Sequence, residues 1–414
     1  MLVIILNPAK ITTFAAKIQL ANRHIISDFT MKTSLIALSL GTFVLGMAEF
    51  VMPGILSFVA KDLGITIPEA GHLISAYALG VSFGAPVILL SVEKYRLKSV
   101  LLFLACLMLT GNLLAAFAPN YYTLMACRFI SGLPHGAYFG MGTIIASKLA
   151  DKGKESSAIA IMVTGMTVAN LLGVPIGTFL SNNFSWRTIF MFVAGAALLT
   201  GVGIKFFVPD VENEVTQRLR DRFKFLKHLA PWLVVFATFT GNCGIFCMYS
   251  YINPILTNVA GFAESTLPIL MVTAGAGMVA GNLISGKICD RYPMGLVAGI
   301  IQGTTAVLLT VILLFGATAW VMVAMMFCCT FCLFALSSPQ QFLIIKHGKG
   351  GEKLGGALVQ VAFNVGNAAG AFLGGLPILA GCAENVSAAW GIPFEMVGCL
   401  LFMYFHHRYE KNSQ

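Results

Sequence analysis

From residue 33 to residue 406 the chain alternates between long apolar runs and short polar connections. Each run reaches the roughly 20 residues that an α-helix needs to cross a hydrocarbon layer. Twelve such runs can be counted, and no room remains between them for a sizeable soluble domain. The pattern predicts an all-α integral membrane protein of twelve transmembrane helices. The first 30 residues, opening MLVIILNPAK, are too poor in apolar residues to span and carry no small-residue cleavage signature before Met31. The stretch MKTSLIALSL reads as a natural start, so residues 1–30 are expected to be an extension ahead of the native start or a loose arm. Lys32 before an apolar run also fits a signal peptide, but eleven further spans favour an uncleaved first helix.

The apolar pattern breaks most sharply over 209–230, PDVENEVTQRLRDRFKFLKHLA, which separates six spans from six. Residues 31–208 and 231–414 are therefore expected to form two six-helix bundles joined by this linker. They share one register. At an offset of 197, Gly80 matches Gly277, Gly84 matches Gly281, Glu93 matches Asp290, Lys94 matches Arg291 and Tyr95 matches Tyr292. The same offset pairs Asn170 with Asn367, Gly173 with Gly370 and Gly177 with Gly374. Glycine coincidences are common in a glycine-rich chain, so the acid-base-tyrosine triplet and the single offset carry the inference. Duplicated bundles with a midplane site between them suit alternating exposure of a cavity.

Composition agrees: 57% of residues are hydrophobic and 10% charged, and mean hydropathy is +0.85, far above a soluble domain. A formal net charge of +9 raises the question of nucleic acid, but its distribution answers it. With the N-terminus in the cytoplasm, every Lys and Arg of the 26 falls on the cytoplasmic side except Lys61, Arg187 and Arg128. The clusters recur at every second connection, as the positive-inside rule requires for an even number of spans with both termini inside. The charge therefore specifies topology in a bacterial cell or inner membrane, with lipid rather than nucleic acid as its surroundings. Ten cysteines lie in or beside the spans without paired metal-ligand spacing. The lone C-x-x-C, Cys329 to Cys332, lies within a helix pattern, so all are read as packing residues. No metal, no cofactor and no oligomeric partner is expected.

Three polar features interrupt the apolar background. In GMAEFVMPG, Glu49 stands inside the first span, and Pro53 four residues on removes the helical donor to its carbonyl, predicting a kink there. In the fourth span, CRFISGLPHGAYFG, Arg128 and His135 are seven residues apart, hence on one face about 10 Å along the axis. A charge that deep costs roughly 2.5 to 3.5 kcal/mol and faces a cavity or a partner. Glu49 is the expected partner. At the 197 offset Glu49 corresponds to Phe246 and Arg128 to Met325, so the ionisable pair belongs to the first bundle. Burial and a nearby cation act on a carboxyl group's protonation in opposite senses, so alternating exposure could load and unload a proton at Glu49. A purely structural ion pair is the competing reading, as helix packing is for His135. Glu395, in GIPFEMVG of the last span, has no evident partner and is expected near the outer interface.

Small residues form stripes of period four: Gly165, Ala169, Gly173 and Gly177 in the fifth span, and Ala362, Gly366, Gly370 and Gly374 in the eleventh. They permit close helix approach, either as plain packing or as surfaces that slide. Pro175 should bend the fifth helix by removing the backbone bond to Leu171. At one end of the second span LSVEKYRLKS carries Glu93 and Lys94, and after the eighth GKICDRYPMG carries Gly286, Asp290 and Arg291. Acids beside bases at these helix ends suit a latch between bundles, or a simple topogenic cluster. Asn242, Tyr249, Tyr251 and Asn253 of the seventh span are candidates for contact with a sugar or an amphiphile, although aromatic residues near helix ends also serve as interface anchors.

Taken with these motifs, the chain over residues 31 to 380 resembles the major facilitator superfamily. It is most similar to the drug and sugar efflux branch and its AraJ-type arabinose exporters, through LGTFVLGMAEFVMPGIL, GHLISAYALGVSFGAP, RFISGLPHGAYFG, GMTVANLLGVPIGTFLS, SWRTIF and AFNVGNAAGAFLGG. The resemblance implies a role for Arg128 in proton coupling. It implies antiport, hence export, from GVPIG, and a cytoplasmic gating motif at Gly286, Asp290 and Arg291. The first gating copy departs from the family, with Glu93 for aspartate and Arg96 for glycine. The leading expectation is a proton-coupled exporter of a small molecule. An importer or uniporter of the same fold is the alternative. An embedded enzyme or receptor is a remote one, since no catalytic cluster or sensing domain is visible. No G-x-x-x-x-G-K-S/T loop for ATP is present, so a gradient would be the energy source.

Overall fold

The apolar runs become helices, and no strand occurs among the described residues. The computed structural model describes residues 8–92, 94–151, 154–211, 224–289, 291–348 and 352–411, with side-chain surroundings from residue 31 onward except at 90, 156, 352 and 353. The first span, Met31–Leu63, ends a helix that begins at Pro8 and continues through Pro53. The second is Ile67–Ser91, the third Leu97–Ala116 and the sixth Trp186–Phe207. The fourth is interrupted at Leu133, running as Tyr121–Gly132 and then Pro134–Leu149. Ahead of Pro175 the fifth contains a π-helical turn, Ala169–Gly173, between Glu155–Val168 and Val174–Asn183. A wider turn there accommodates the backbone donor that Pro175 lacks.

In the second bundle the seventh helix is Leu229–Tyr249, followed by the short segments Ile252–Pro254 and Ile255–Val259. The eighth is Leu267–Cys289, the ninth Met294–Phe315 and the eleventh Glu352–Leu379. The tenth runs as Ala319–Ala335 and Ser337–His347, and the twelfth, Ser387–Phe405, continues into His406–Glu410. Eleven helices among the described residues are long and apolar enough to cross a membrane. The interrupted fourth, carrying Arg128, completes twelve. Of the 209–230 linker, residues 212–223 lie outside the described residues.

The repeat is visible in the packing. In the first bundle the first helix packs on the fifth and sixth, the second on the fourth, and the third on the fourth and sixth. In the second bundle the seventh packs on the eleventh and twelfth, the eighth on the tenth, and the ninth on the tenth and twelfth. Each pair is the counterpart of one in the other half. The connections repeat too: Gly64 and Gly261, at the 197 offset, both take positive φ, 63° and 75°. That backbone region is open to glycine at little cost. The register is not perfect, however. A Cβ on Gly80 or Gly84 would meet the carbonyls of Phe129 or Leu133, whereas one on Gly277 or Gly281 would meet those of Phe327 or Phe331. The tenth helix is thus displaced by one residue from the 197 register, and Met326 rather than Met325 stands where the first bundle has Arg128.

Between bundles the second helix packs on the eleventh and the fifth on the eighth, two contacts that exchange under the repeat. Cross-bundle bonds lie toward the face that carries the 64–66 connection, opposite the basic face with Lys94 and Arg291. There Asn253 Nδ2 donates to the Gly54 carbonyl at 2.7 Å, and Asn182 Nδ2 to the Glu264 carbonyl at 3.5 Å. Nearer mid-depth Ser75 Oγ donates to the Ala368 carbonyl at 2.8 Å.

Candidate functional site

The polar residues buried at mid-depth form a connected chain between the bundles. Glu49 is only 6% exposed. Its Oε2 lies 3.6 Å from His135 Nε2, and its Oε1 accepts from Asn367 Nδ2 at 3.3 Å. The first contact is within the first bundle. The second crosses to the eleventh helix of the other. His135 Nδ1 is hydrogen-bonded with the Tyr77 hydroxyl at 2.9 Å, and its ring stacks on Phe139 with centroids 5.4 Å apart. When Tyr77 donates, the imidazole proton resides on Nε2, facing Glu49.

Arg128 is fully buried, yet it forms no ion pair with Glu49. Its guanidinium carbon lies 4.4 Å from the centre of the Tyr77 ring and 5.8 Å from that of Phe190, and Nε donates to the Leu73 carbonyl at 3.4 Å. Desolvated cation–π contacts are worth about 2 kcal/mol, comparable to the cost of placing the charge at this depth. The expected direct pair is therefore replaced by a relay. Tyr77 offers its face to Arg128 and its hydroxyl to His135, which reaches Glu49. Arg128 and His135 do share one face of the fourth helix, toward Tyr77, because Leu133 keeps right-handed helical angles, φ −49° and ψ −44°, where Pro134 interrupts the hydrogen-bond ladder.

Sequence reasoning missed Tyr77 and the role of Asn367. Tyr77 was legible as a tyrosine far from either end of an apolar run, and Asn367 as an amide in the period-four stripe region that repeats at Asn170. Asn170 is itself 2% exposed and makes no side-chain hydrogen bond, although its carbonyl abuts the position a Gly275 Cβ would take in the eighth helix.

The remaining candidates are dispersed. Glu93 and Asp290 lie outside the described residues, while Lys94 and Arg291 are exposed on the basic face. A Cβ on Gly286 would meet nothing within 4 Å. The glycine stripes do not face the opposite bundle. Gly165, Gly173 and Gly177 meet Ser39, Met47 and Val51 of the first helix, and Gly366, Gly370 and Gly374 meet the seventh. Both stripes thus hold helices together inside a bundle. Asn242 donates to the Thr238 carbonyl of its own helix at 2.8 Å and faces Gly366. Tyr249 is buried beside Phe246, and Tyr251 Oη donates to the Ala371 carbonyl at 2.6 Å. Asn253 serves the cross-bundle bond to Gly54.

Glu395 is a correction. It is not at an outer interface but fully buried, its Cγ 2.6 Å from where a Gly244 Cβ would stand. All ten cysteines are free, and no His, Cys, Asp or Glu cluster fit for a metal occurs among the described residues.

The wider likenesses agree with this architecture. Residues 38–375 match the model of the Major Facilitator Superfamily. Escherichia coli K12 AraJ is 44% identical over 358 residues, covering 86% of this chain and 91% of AraJ. The inner membrane transport protein YdhP of Escherichia coli O157:H7 is 34% identical, covering 86% and 92%. A chloramphenicol resistance protein of Streptomyces lividans is 27% identical, covering 82% and 88%. In fold, a bacterial homologue of the human lysosomal transporter Spinster superposes with a TM-score of 0.65 at 15% identity, covering 91% of this chain and 95% of that one. Paired six-helix bundles, a polar chain between them and a match across most of the sequence make this chain a member of the major facilitator superfamily of membrane transporters.

Proposed function

We propose that the protein is a proton-coupled exporter of a small molecule, a sugar or a drug, that works by alternating access in a bacterial inner membrane with both termini cytoplasmic. The observation that carries this reading is the division of one buried carboxyl group between the two bundles, with His135 on one oxygen and Asn367 on the other. As a carboxylate, Glu49 accepts from Asn367 and ties the bundles together. Protonation turns one oxygen into a donor and weakens that tie. The bundles can then part at mid-depth, exchange proton for substrate on the other side, and close again.

Tyr77 and His135 hold the proton path, and Arg128 supplies fixed positive charge behind it. Glu93, Lys94, Gly286, Asp290 and Arg291 would form a latch on the cytoplasmic side. Asn242, Tyr249 and Asn253 are the candidates for contact with the substrate. Outward direction is supported by GVPIG and by likeness to the Streptomyces protein named for chloramphenicol resistance.

The test is transport in inverted vesicles loaded with a pH-sensitive dye, with a panel of sugars and drugs presented to the parent and to Glu49→Gln. The expected result is substrate-dependent proton movement in the parent, with uphill transport reduced at least about tenfold in the variant, a loss of roughly 1.4 kcal/mol of coupling. Uphill transport by Glu49→Gln at the parental rate would overturn the coupling role. Proton movement in the same direction as substrate would mean symport, and facilitated movement without protons would mean uniport.

A further inference from the structure

Asn170 belongs to the π-helical turn Ala169–Gly173 of the fifth helix. It is 2% exposed, yet neither its amide nitrogen nor its amide oxygen has a hydrogen-bond partner among the described residues. Its carbonyl loses its helical donors as well. Val174 N donates to the Ala169 carbonyl instead, and Pro175, next in line, has no N–H to give. One buried residue thus presents one donor and two acceptors that the helix does not use. Folded proteins leave few such groups, and each calls for a reason. Its place narrows the reason. A Cβ on Gly275 of the eighth helix would meet the Asn170 carbonyl oxygen at 2.3 Å and Leu171 Cα at 2.9 Å, so this turn lies on a seam between the bundles. Thr178 marks the same seam, because a Cβ on Gly54 would meet its Oγ1 at 2.7 Å and Met271 Sδ at 3.4 Å. Under the repeat Asn170 is the counterpart of Asn367, but the counterpart of Glu49 is Phe246, so no carboxyl group answers it. On the seam between the second and eleventh helices, Asn364 and Asn367 each keep an unpartnered Oδ1. Asn364 lies between Val361 and Ala368, whose carbonyls accept from Ser82 and Ser75 of the second helix.

We propose that Asn170 contacts the substrate when the bundles part, together with Asn364 and Asn367, and that these amides select a neutral solute bearing hydroxyl groups. The proposal deepens the alternating-access reading above and rests on it. Close helix packing explains the small neighbours Ala169 and Gly173, but not an amide between them. The unpartnered atoms choose the substrate class. A hydroxyl group both donates and accepts, as an amide with a free nitrogen and a free oxygen requires. A carboxylate or phosphate only accepts, so it would leave the oxygens of Asn170, Asn364 and Asn367 unmet. An ammonium group only donates, so it would leave Asn170 Nδ2 unmet. Amides also bring no net charge to balance an ion taken out of water, and Glu49 is already held by His135 and Asn367. A few placed polar groups on an otherwise apolar wall are what orients a small ligand. The π-turn supplies one of them by freeing a main-chain carbonyl, a use that agrees with the frequent occurrence of such turns at functional sites.

The test is equilibrium binding to the full-length protein in detergent, with L-arabinose, D-glucose and chloramphenicol as neutral hydroxylated probes, citrate as the anion and spermidine as the cation. The parent should bind at least one neutral probe, and bind citrate and spermidine at least about tenfold more weakly. Asn170→Leu, which keeps the volume, and Asn170→Ala, which adds no bulk, should each weaken that binding about tenfold or more through the loss of two hydrogen bonds. Asn170→Leu should melt no lower than the parent, since the side chain gives up no hydrogen bond of the folded protein. Should leucine prevent folding, Asn170→Ala carries the test. Parental affinity in either folded variant overturns the contact, whatever its melting temperature. Preference of the parent for citrate or spermidine, or binding of none of the neutral probes, overturns the substrate class. No gradient enters the measurement, so failure here leaves the coupling role of Glu49 standing.

Discussion

Asn367 of the eleventh helix donates to Glu49 of the first at 3.3 Å, although 318 residues separate them. This bond joins the two bundles through a group whose hydrogen-bonding character changes with one proton. A hydrogen bond to a charged group is worth about 1.5–3 kcal/mol, enough to shift a conformational balance tenfold or more without locking it.

Replacing Asn367 by leucine should remove that bond while keeping the volume. Uphill transport is expected to fall about tenfold, in line with the loss of 1.5–3 kcal/mol, while the detergent-solubilised protein stays folded and melts at most several degrees lower. Vesicle transport and a thermal melt measured together check this. Parental transport in the leucine variant would remove Asn367 from the cycle.

Tyr77 separates two roles that one residue combines. Tyr77→Phe keeps the ring under Arg128 but removes the hydroxyl 2.9 Å from His135. It should cost about 0.5–1.5 kcal/mol of stability and alter the pH profile of transport. Tyr77→Leu removes the aromatic face as well and adds a loss of about 2 kcal/mol, so the protein should melt several degrees lower. If the two variants melt alike, the ring does not support the buried cation.

Close backbone approach makes some glycines irreplaceable and leaves others open. A Cβ on Gly84 or Gly281 would overlap the Leu133 or Phe331 carbonyl, whereas one on Gly286 meets nothing within 4 Å. Gly84→Ala and Gly281→Ala should each destabilise by about 1–3 kcal/mol, and Gly286→Ala should not. Melting temperatures of the three variants decide it. A marked loss of transport in Gly286→Ala with an unchanged melt would support a gating role for that position.

Glu395 packs against Gly244 inside the second bundle. Glu395→Gln keeps the shape and should be tolerated in both stability and transport. Gly244→Ala would drive a methyl group into the Glu395 side chain and should cost about 1–3 kcal/mol. Loss of coupling in Glu395→Gln with an intact melt would instead make it a second functional acid.

Much of the architecture was legible from the chain alone, because lipid imposes two strong rules that act locally: every span must be apolar and long enough, and basic residues collect on one side. Twelve spans, the duplication and the odd acid at Glu49 all follow from such rules and from one shared offset. The partners of that acid do not. Arg128 meets the ring of Tyr77, His135 meets the hydroxyl of Tyr77 and the carboxyl group of Glu49, and Glu395 packs against Gly244 inside the second bundle. The stripes of small residues were visible, but which helix each would meet was not. Periodicity specifies the face of one helix, while the partner across that face depends on how twelve helices share a limited volume, and only the tertiary structure decides it.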